Sequence, residues 1–489
     1  MHKNRPLKIS RRLRIIRETI IILTNIELTQ VNGGTNGGCG PTRSPETKLV
    51  REELFSNTPA PGETVEIDLG RFRARVPIAL YSTPQHTLGG TGQRADDPTL
   101  GAQRTGDGFD PSAGVADIIV VWNALQHFWP YWDVVHVDWS AALDLALRAA
   151  LGDRSVEMHA ATLERLLVAA PDGHVQVSCP GQPELGSPPF VAAAVPGSVV
   201  VIASEVPDIA PGDVVVAIDG RPIADAVAAL EAQVSGSPQL RRAFAVARLG
   251  AGPAGTKLTV DVRRADRELR VELTRVDHDV YAAPHGSPIQ QFDDGVYYLD
   301  LSRVSSAELA AVMTKLAAAP GLVIDLRDRP GEAAMDLLSH LLVRADDTLW
   351  EHVPLIIRPD SASHPAAWKS VGFALPALAP HIAGRVAILI GAETASYGES
   401  IAGLAAHYRV GELVGTDTAG VNGNVAQLAL PTGCSVRFTG ARVTRQDGSR
   451  FHLLGIPPTI RVEPTVAGIA AGRDEVMDRA LDYVRTGKK

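Results

Sequence analysis

Residues 385–400 read RVAILIGAETASYGES, and in this stretch a buried strand passes directly into a helix. The run 385–390 is almost wholly apolar, which is typical of a strand covered on both faces of a sheet. A helix is predicted to begin near Gly398. Ser396 is therefore expected at the carboxyl end of a strand, the edge at which open α/β sheets place their functional sites.

The alternation of strand and helix covers the whole second half of the chain. Apolar runs at 295–301 and 322–327 predict two further strands. Ser305 and Glu308 have the spacing of a capping box, so a helix is predicted between these strands. Another helix is predicted at about 332–343. Strands that alternate with helices are typical of an α/β fold with a parallel sheet, which is the fold class we expect here.

Residues 190–276 predict a compact β-rich unit with one central helix. Its most informative stretch is 209–223, IAPGDVVVAIDGRPI, in which a short apolar strand ends at the hairpin turn Asp219-Gly220. This unit resembles the PDZ domains of bacterial proteases. No clear carboxylate-binding loop precedes its first strand, so peptide binding by the unit stays open.

Two segments with different predicted secondary structure precede this unit. Between 113 and 170 the apolar residues have helical spacing, and a dense aromatic group is expected to fill the core of a helical cap rather than to form a ligand cage. The aromatic residues are Trp122, Phe128, Trp129, Tyr131, Trp132 and Trp139. Before the cap, 64–69 and 72–77 alternate like strands, and 88–110 is interpreted as a linker or mobile loop.

The amino-terminal segment is basic, with seven Lys and Arg residues before the first acid, Glu18. Its apolar run 20–23 is too short for a secretory signal peptide. The stretch 17–34 ends in Gly-Gly and resembles the leaders of ribosomally made peptides. This resemblance implies a leader-recognising partner at 1–34 or export by a leader-type route. A disordered basic tail and a nucleic-acid-binding arm remain as alternatives.

The composition of the 489 residues limits the function classes. A hydrophobic share of 45% and a charged share of 21% indicate a globular protein, and the net charge of -8 argues against a surface built for nucleic acid. Cys39, Cys179 and Cys434 are odd in number and far apart, so we expect no disulfide framework and no metal site. No motif indicates a cofactor. No apolar run is long enough for a transmembrane helix. The sequence leaves the cellular location of the protein open.

Ser396 is the candidate nucleophile. The N–H groups at the start of the following helix face the same point, and the helix dipole favours negative charge there. The Tyr397 N–H is therefore a candidate oxyanion donor. The Pro-Gly turn after the strand 322–327 offers the Gly331 N–H as a second donor. The structural alternative is that Ser396 merely caps the helix.

Four segments rich in glycine and proline follow in order, at 414–424, 430–433, 447–449 and 455–462. Together with the Ser396 turn they resemble the tail-specific (C-terminal processing) serine peptidases, and within these the tricorn-core-like branch, over about 115–485. The resemblance implies a multidomain α/β protein with a crotonase-like ββα core that hydrolyses peptide bonds through Ser396. It implies a peptide or unfolded protein as substrate and no nucleic acid, and it leaves a homo-oligomer open.

On this basis the chain divides into five predicted parts. They are a leader-like or disordered tail at 1–46, a small β segment and linker at 47–112, a helical cap at 113–180, a PDZ-like domain at 181–280 and the peptidase core at 285–486. The cap would carry the general base. The cap and the PDZ-like domain together would control the access of substrate.

The general base distinguishes the two branches of this family. The processing branch has a lysine in a Thr-x-Gly-Lys turn, but the matching turn here, 418–421, ends in Val421, which cannot take a proton. The tricorn-like branch uses a histidine from the amino-terminal side of the PDZ unit. The match at 172–174, Asp-Gly-His, implies that His174 is the base.

Two positions depart from the tricorn-like pattern. His452 stands where the branch has a glutamate, and Gly173 stands where it has the serine that links this glutamate to the histidine. Glu399 and His452 are kept as candidate site residues, and either Asp172 or Glu399 would orient His174. The departures support a rival hypothesis, in which the chain is a weakly active or inactive binding protein that holds a peptide or an apolar ligand on the same fold.

Overall fold

The computed structural model describes residues 64–68, 73–77, 109–182, 185–278, 286–355 and 367–489. The leader-like segment and most of the predicted linker lie outside these residues. Within them, no helix has both the length and the apolar character needed to cross a bilayer.

The first described elements are an antiparallel hairpin and three helices. The hairpin pairs β1 (Thr64–Asp68) with β2 (Arg73–Pro77), as the alternation predicts. The helices are α1 (Pro111–Phe128), α2 (Trp139–Ala150) and α3 (Val156–Val168), which confirms the helical prediction for 113–170. Each helix begins behind a side-chain cap, supplied in turn by Asp110, Asp138 and Ser155.

The aromatic group of the cap contributes to its core, as predicted. Trp129, Tyr131 and Trp139 are buried, and the rings of Trp129 and Trp132 meet edge to face with centroids 4.5 Å apart. The same core continues into side chains from the carboxyl-terminal half of the chain, including Phe438. The helical cap is therefore packed directly against the part of the chain that contains the candidate nucleophile.

The β-rich unit contains an antiparallel sheet of six strands with the order β11-β10-β7-β6-β5, and with β8 paired to β7. The strands of this region are β3 (Gln176–Ser178), β4 (Leu185–Gly186), β5 (Phe190–Val195), β6 (Ser198–Ser204), β7 (Val214–Ile218), β8 (Arg221–Pro222), β9 (Gly252–Pro253), β10 (Lys257–Arg264) and β11 (Arg267–Thr274). The predicted hairpin turn is confirmed, because Asp219 and Gly220 have φ values of 48° and 74° between β7 and β8.

One prediction for this unit is wrong, because it contains two helices instead of one. They are α4 (Ile223–Glu231) and α5 (Pro238–Ala247). The start of α5 has a clear physical basis: the Ser237 side chain accepts the N–H of Leu240, and proline suits the first helical turn. This overlooked helix is the one that reaches the candidate site.

The carboxyl-terminal half is built on a sheet of six strands in the order β12-β13-β14-β17-β18-β22, parallel except between β12 and β13. These strands are β12 (Ile289–Gln291), β13 (Tyr297–Asp300), β14 (Gly321–Asp325), β17 (Arg385–Ile390), β18 (Glu412–Gly415) and β22 (Ile460–Arg461). The helices are α6 (Ser306–Ala318), α7 (Ala333–Leu341), α8 (Tyr397–Tyr408), α9 (Val466–Ala470) and α10 (Glu475–Thr486). The α/β prediction is confirmed, and so is the capping box of Ser305 and Glu308.

Two sheets of three strands each complete the described structure of this half. One has the order β16-β15-β21, formed by β15 (Glu351–Leu355), β16 (Ala367–Val371) and β21 (Arg442–Val443). The other has the order β19-β20-β3, in which β19 (Val425–Ala429) and β20 (Ser435–Thr439) pair with the strand that follows the helical cap. This second sheet brings His174, which lies just before β3, next to the end of β20.

The expectation that the chain has no disulfide is wrong. Cys179 and Cys434 are bonded to each other although they are 255 residues apart. They stand at adjoining ends of β3 and β20, whose register pairs Ser178 with Ser435. The sequence could not indicate this bond, because the two cysteines become neighbours only through the pairing of strands that are distant along the chain.

Reduction of this disulfide should lower the stability of the protein. Because the bond closes a loop of 255 residues, we expect dithiothreitol to lower the free energy of unfolding by about 2–4 kcal/mol in urea titrations. A Cys179→Ser/Cys434→Ser double variant should begin at the lower value and should not respond to the reductant. Three free thiols in the unfolded, unreduced chain, rather than one, would contradict the pairing.

Candidate active site

Ser396 occupies a strained turn between β17 and α8. Its φ of 52° and ψ of −115° lie in a region that residues with a side chain rarely adopt. The Ser396 N–H donates to the Val421 carbonyl at 2.8 Å and also approaches the Glu399 carboxylate at 3.2 Å. These contacts hold the turn in a conformation that costs free energy, and such strain concentrates at functional sites.

Glu399 lies in the first turn of α8 and is buried. Its carboxylate accepts four hydrogen bonds, from the Thr418 hydroxyl and from the backbone N–H groups of Gly420, Val421 and Ser396. Burial raises the pKa of Glu399 to about 8, and these donors oppose the rise. Among the described residues neither carboxylate oxygen bonds to His174, so Glu399 fixes the loop 418–421 against the serine turn.

His174 is held by a chain of hydrogen bonds that passes through a hydroxyl group. Its Nδ1 lies 2.8 Å from Thr439 Oγ1, and this hydroxyl donates to Asp172 at 2.7 Å. Because the hydroxyl proton is given to Asp172, Nδ1 must carry the proton that the hydroxyl oxygen accepts. Nε2 is then left unprotonated, which is the state a general base requires.

Asp172 is a buried and firmly held carboxylate. It also accepts hydrogen bonds from the backbone N–H groups of His174 and Thr439 and from the indole of Trp129, at 2.7–3.1 Å. Burial lowers the pKa of His174, and the negative charge of Asp172 opposes this effect only in part. The imidazole is therefore neutral at neutral pH and able to take a proton.

The two departures from the tricorn-like pattern have physical explanations. A Cβ on Gly173 would lie 2.3 Å from the Leu240 side chain and 2.9 Å from that of Val421, so a serine does not fit there without a shift of these neighbours. His452 stacks on Tyr131 with the ring centroids 3.7 Å apart, and burial lowers its pKa to about 4. It is therefore neutral and supplies no negative charge. The hydroxyl and the carboxylate that hold the His174 imidazole come from Thr439 and Asp172.

Thr439 is the site residue that sequence reasoning missed. It lies 265 residues after His174, at the end of β20, and no motif or spacing connects the two. Asp172 was one of two candidates for orienting His174, and the hydrogen bonds favour it over Glu399. The only signal for Thr439 would have been the pairing of β20 with β3, which the sequence does not reveal.

Val421 connects the serine turn to the histidine loop. Its carbonyl accepts the Ser396 N–H, and its side chain packs beside Gly173, the residue before His174. Leu240, from the first turn of α5, belongs to the same small apolar cluster. The two candidate catalytic loops thus meet at the residue that stands where the processing branch has its lysine.

The two predicted oxyanion donors, the N–H groups of Tyr397 and Gly331, differ in their surroundings. Tyr397 is the first residue of α8, so its N–H lies at the positive end of the helix dipole. The Gly331 N–H donates to the Leu301 carbonyl at 2.7 Å. In this conformation the Gly331 N–H is already used in a hydrogen bond within the protein. It could donate to an oxyanion only after the bond to Leu301 breaks.

These features define an α/β protein with a serine turn at the carboxyl edge of its parallel sheet and an oriented histidine on the adjoining loop. Residues 289–462 match the model of peptidase family S41. The chain therefore contains a peptidase family S41 domain, which confirms the resemblance to the tail-specific peptidases.

Two structures of mature CPAF share this fold at low sequence identity. Mature CPAF complexed with lactacystin has a TM-score of 0.63 at 16% identity, covering 77% of this chain and 99% of that chain. Mature CPAF alone has a TM-score of 0.61 at 15% identity with the same coverage of 77% and 99%. The photosystem II D1 C-terminal processing protease has a TM-score of 0.44 at 17% identity, covering 73% and 96%. No curated protein matches the chain.

Glu399 should make stability depend on pH in a specific direction. Its folded pKa of about 8 lies above the unfolded value of 4.5, so the folded state retains a proton that the unfolded state has lost between these pH values. Stability from this group is thus complete at low pH and is lost as pH rises, by up to about 1.4 kcal/mol per pH unit. In urea titrations from pH 5 to 8, the wild type should lose stability relative to Glu399→Gln. A constant difference between the two proteins would show that the pKa is not raised.

Proposed function

We propose that this chain is a serine endopeptidase of the tail-specific type, with Ser396 as nucleophile and His174 as general base. The family S41 match implies serine peptidase activity. The observation that carries the finer mechanism is the hydrogen-bonded chain from Asp172 through Thr439 to His174, because it leaves Nε2 of a neutral imidazole ready to accept a proton.

The proposed reaction has two halves. His174 Nε2 takes the proton of Ser396 Oγ as this oxygen bonds to the peptide carbonyl carbon. The oxyanion forms beside the Tyr397 N–H, and the Gly331 N–H joins once it leaves Leu301. Collapse of the intermediate breaks the C–N bond, and the leaving amine takes the proton from Nε2. The same imidazole then deprotonates a water molecule as its oxygen bonds to the acyl carbon. Collapse of this second intermediate breaks the bond from that carbon to Ser396 Oγ, which takes the proton back from Nε2, and the carboxylic acid is released.

The β-rich unit is proposed to be a PDZ-like domain that influences this site directly. The amino-terminal end of its helix α5 contacts the loop 418–421. There the Ser237 hydroxyl donates to the Ala419 carbonyl at 2.5 Å, and the Gln239 amide donates to the Thr418 carbonyl at 2.9 Å. Because Glu399 joins the same loop to the serine turn, a movement of α5 on peptide capture would be transmitted to Ser396.

The rival proposal is an inactive binding protein that holds a peptide or an apolar ligand. One observation favours it, namely that the Gly331 N–H already donates to the Leu301 carbonyl. A binding protein needs neither an activated serine nor a complete oxyanion hole, so chemical activation of Ser396 separates the two proposals.

Labelling with a fluorophosphonate should modify the wild-type protein and neither Ser396→Ala nor His174→Ala. The reason is that the reagent reacts with a serine whose proton is removed by a neighbouring base. Casein digestion should follow the same pattern, with circular dichroism as the control for folding. A folded wild-type protein that labels no better than Ser396→Ala and does not digest casein would support the rival.

Thr439 and Asp172 should act as positioning residues for His174. We expect Thr439→Val to lower kcat for a peptide substrate about 10²–10⁴-fold with little change in KM, because the tautomer is no longer fixed. Thr439→Ser should retain most of the rate. A matched Thr259→Val variant, on β10, should behave as wild type.

The pH profile distinguishes positioning from a purely structural role. Since the charge of Asp172 raises the pKa of His174 against the larger effect of burial, Asp172→Asn should move the acidic limb of kcat/KM to lower pH while lowering its maximum. An unchanged limb in a folded Asp172→Asn variant would contradict this role.

A further inference from the structure

Arg437 lies on the same face of β20 as Thr439. Side chains alternate along a strand, so Ser435, Arg437 and Thr439 face one side, while Val436 and Phe438 face the buried core. Thr439 holds the catalytic imidazole. Arg437 is therefore the neighbour, on this face of β20, of the threonine that bonds the proposed base.

The surroundings of Arg437 are polar and exposed. Across the sheet, the register places Gln427 of β19 on one side of it and Gln176 of β3 on the other, and all three residues are exposed. The Arg437 guanidinium donates to the Gln176 amide oxygen at 3.4 Å. Within the described part of the chain, no Asp or Glu forms an ion pair with Arg437.

A second arginine, Arg329, also adds positive charge near His174. Arg329 is exposed in the turn after β14, next to the Pro-Gly pair that contains Gly331. Burial lowers the pKa of His174 most strongly, and the positive charges of Arg437 and Arg329 lower it further. Both guanidinium groups are thus close enough to the base to influence its charge.

We propose that the site prefers peptides that carry a carboxylate close to the scissile bond, and that Arg437 binds this carboxylate. This proposal rests on the proposed function. A guanidinium without a carboxylate partner is well solvated in the free protein, but a substrate lying across the sheet would remove part of that water. A neutral residue would leave the charge uncompensated, whereas a carboxylate replaces the lost water with a charge-assisted hydrogen bond. The carboxylate can belong to an Asp or Glu side chain or to the end of the peptide.

The test uses pairs of fluorogenic peptides that differ in one charge. One set exchanges Asp for Asn at each position within three residues of the scissile bond, and the other exchanges a free carboxyl end for an amide. For the wild type we expect kcat/KM to favour the charged member by about tenfold at one position or at the peptide end. The set in which the preference occurs identifies the source of the carboxylate.

Variants of Arg437 provide the controls. Arg437→Gln should reduce the preference to nearly one, Arg437→Lys should retain part of it, and Arg437→Glu should favour a lysine at the same position. Arg263→Gln changes an exposed arginine of β10 and should leave the preference unchanged. Equal rates for every pair, or the same preference in Arg437→Gln, would overturn the proposal.

Affinity separates this proposal from the proposed function. The affinity of the Ser396→Ala variant, which cannot hydrolyse peptides, is measured for the same peptide pairs by fluorescence anisotropy. If the wild type hydrolyses no peptide, the proposed peptidase activity fails, while tighter binding of the charged member, lost on adding Arg437→Gln, still supports the carboxylate site. Equal affinities within every pair would overturn the carboxylate site even if hydrolysis occurs.

Discussion

The hydroxyl of Thr439 is the group on which the proposed chemistry depends. It has a single proton and gives it to Asp172, so its oxygen can only accept from Nδ1 of His174. One side chain therefore fixes the tautomer and the orientation of the ring. It also keeps the carboxylate one group away from the imidazole, so the charge of Asp172 does not overcome the effect of burial and His174 stays neutral.

The position of Thr439 depends in turn on contacts between distant parts of the chain. The pairing of β20 with β3 sets the register that brings Thr439 to His174, and the Cys179–Cys434 disulfide joins the same two strands at their other ends. The buried face of this sheet packs into the core of the helical cap through Phe438. The helical cap therefore supports the strand whose Thr439 bonds His174, the proposed base.

Sequence reasoning succeeded where the determinants are local. The apolar strand 385–390, the turn at Ser396 and the capping box of Ser305 each involve neighbouring residues, and each was predicted. It failed where two distant segments must meet. The role of Thr439 and the disulfide of Cys179 arise from strand pairing over more than 250 residues, for which a single sequence contains no periodic signal.

The bond between Gly331 and Leu301 is compatible with catalysis when its free energy is compared with that of an oxyanion contact. A typical backbone hydrogen bond contributes about 0.5–1.5 kcal/mol net, whereas one oxyanion donor lowers the barrier by about 2.7–4 kcal/mol. A neutral substrate carbonyl would gain too little to displace Leu301, but a developing negative charge would gain enough. The N–H of Gly331 would then act on the transition state and hardly on the bound substrate, and this difference is what accelerates a chemical step.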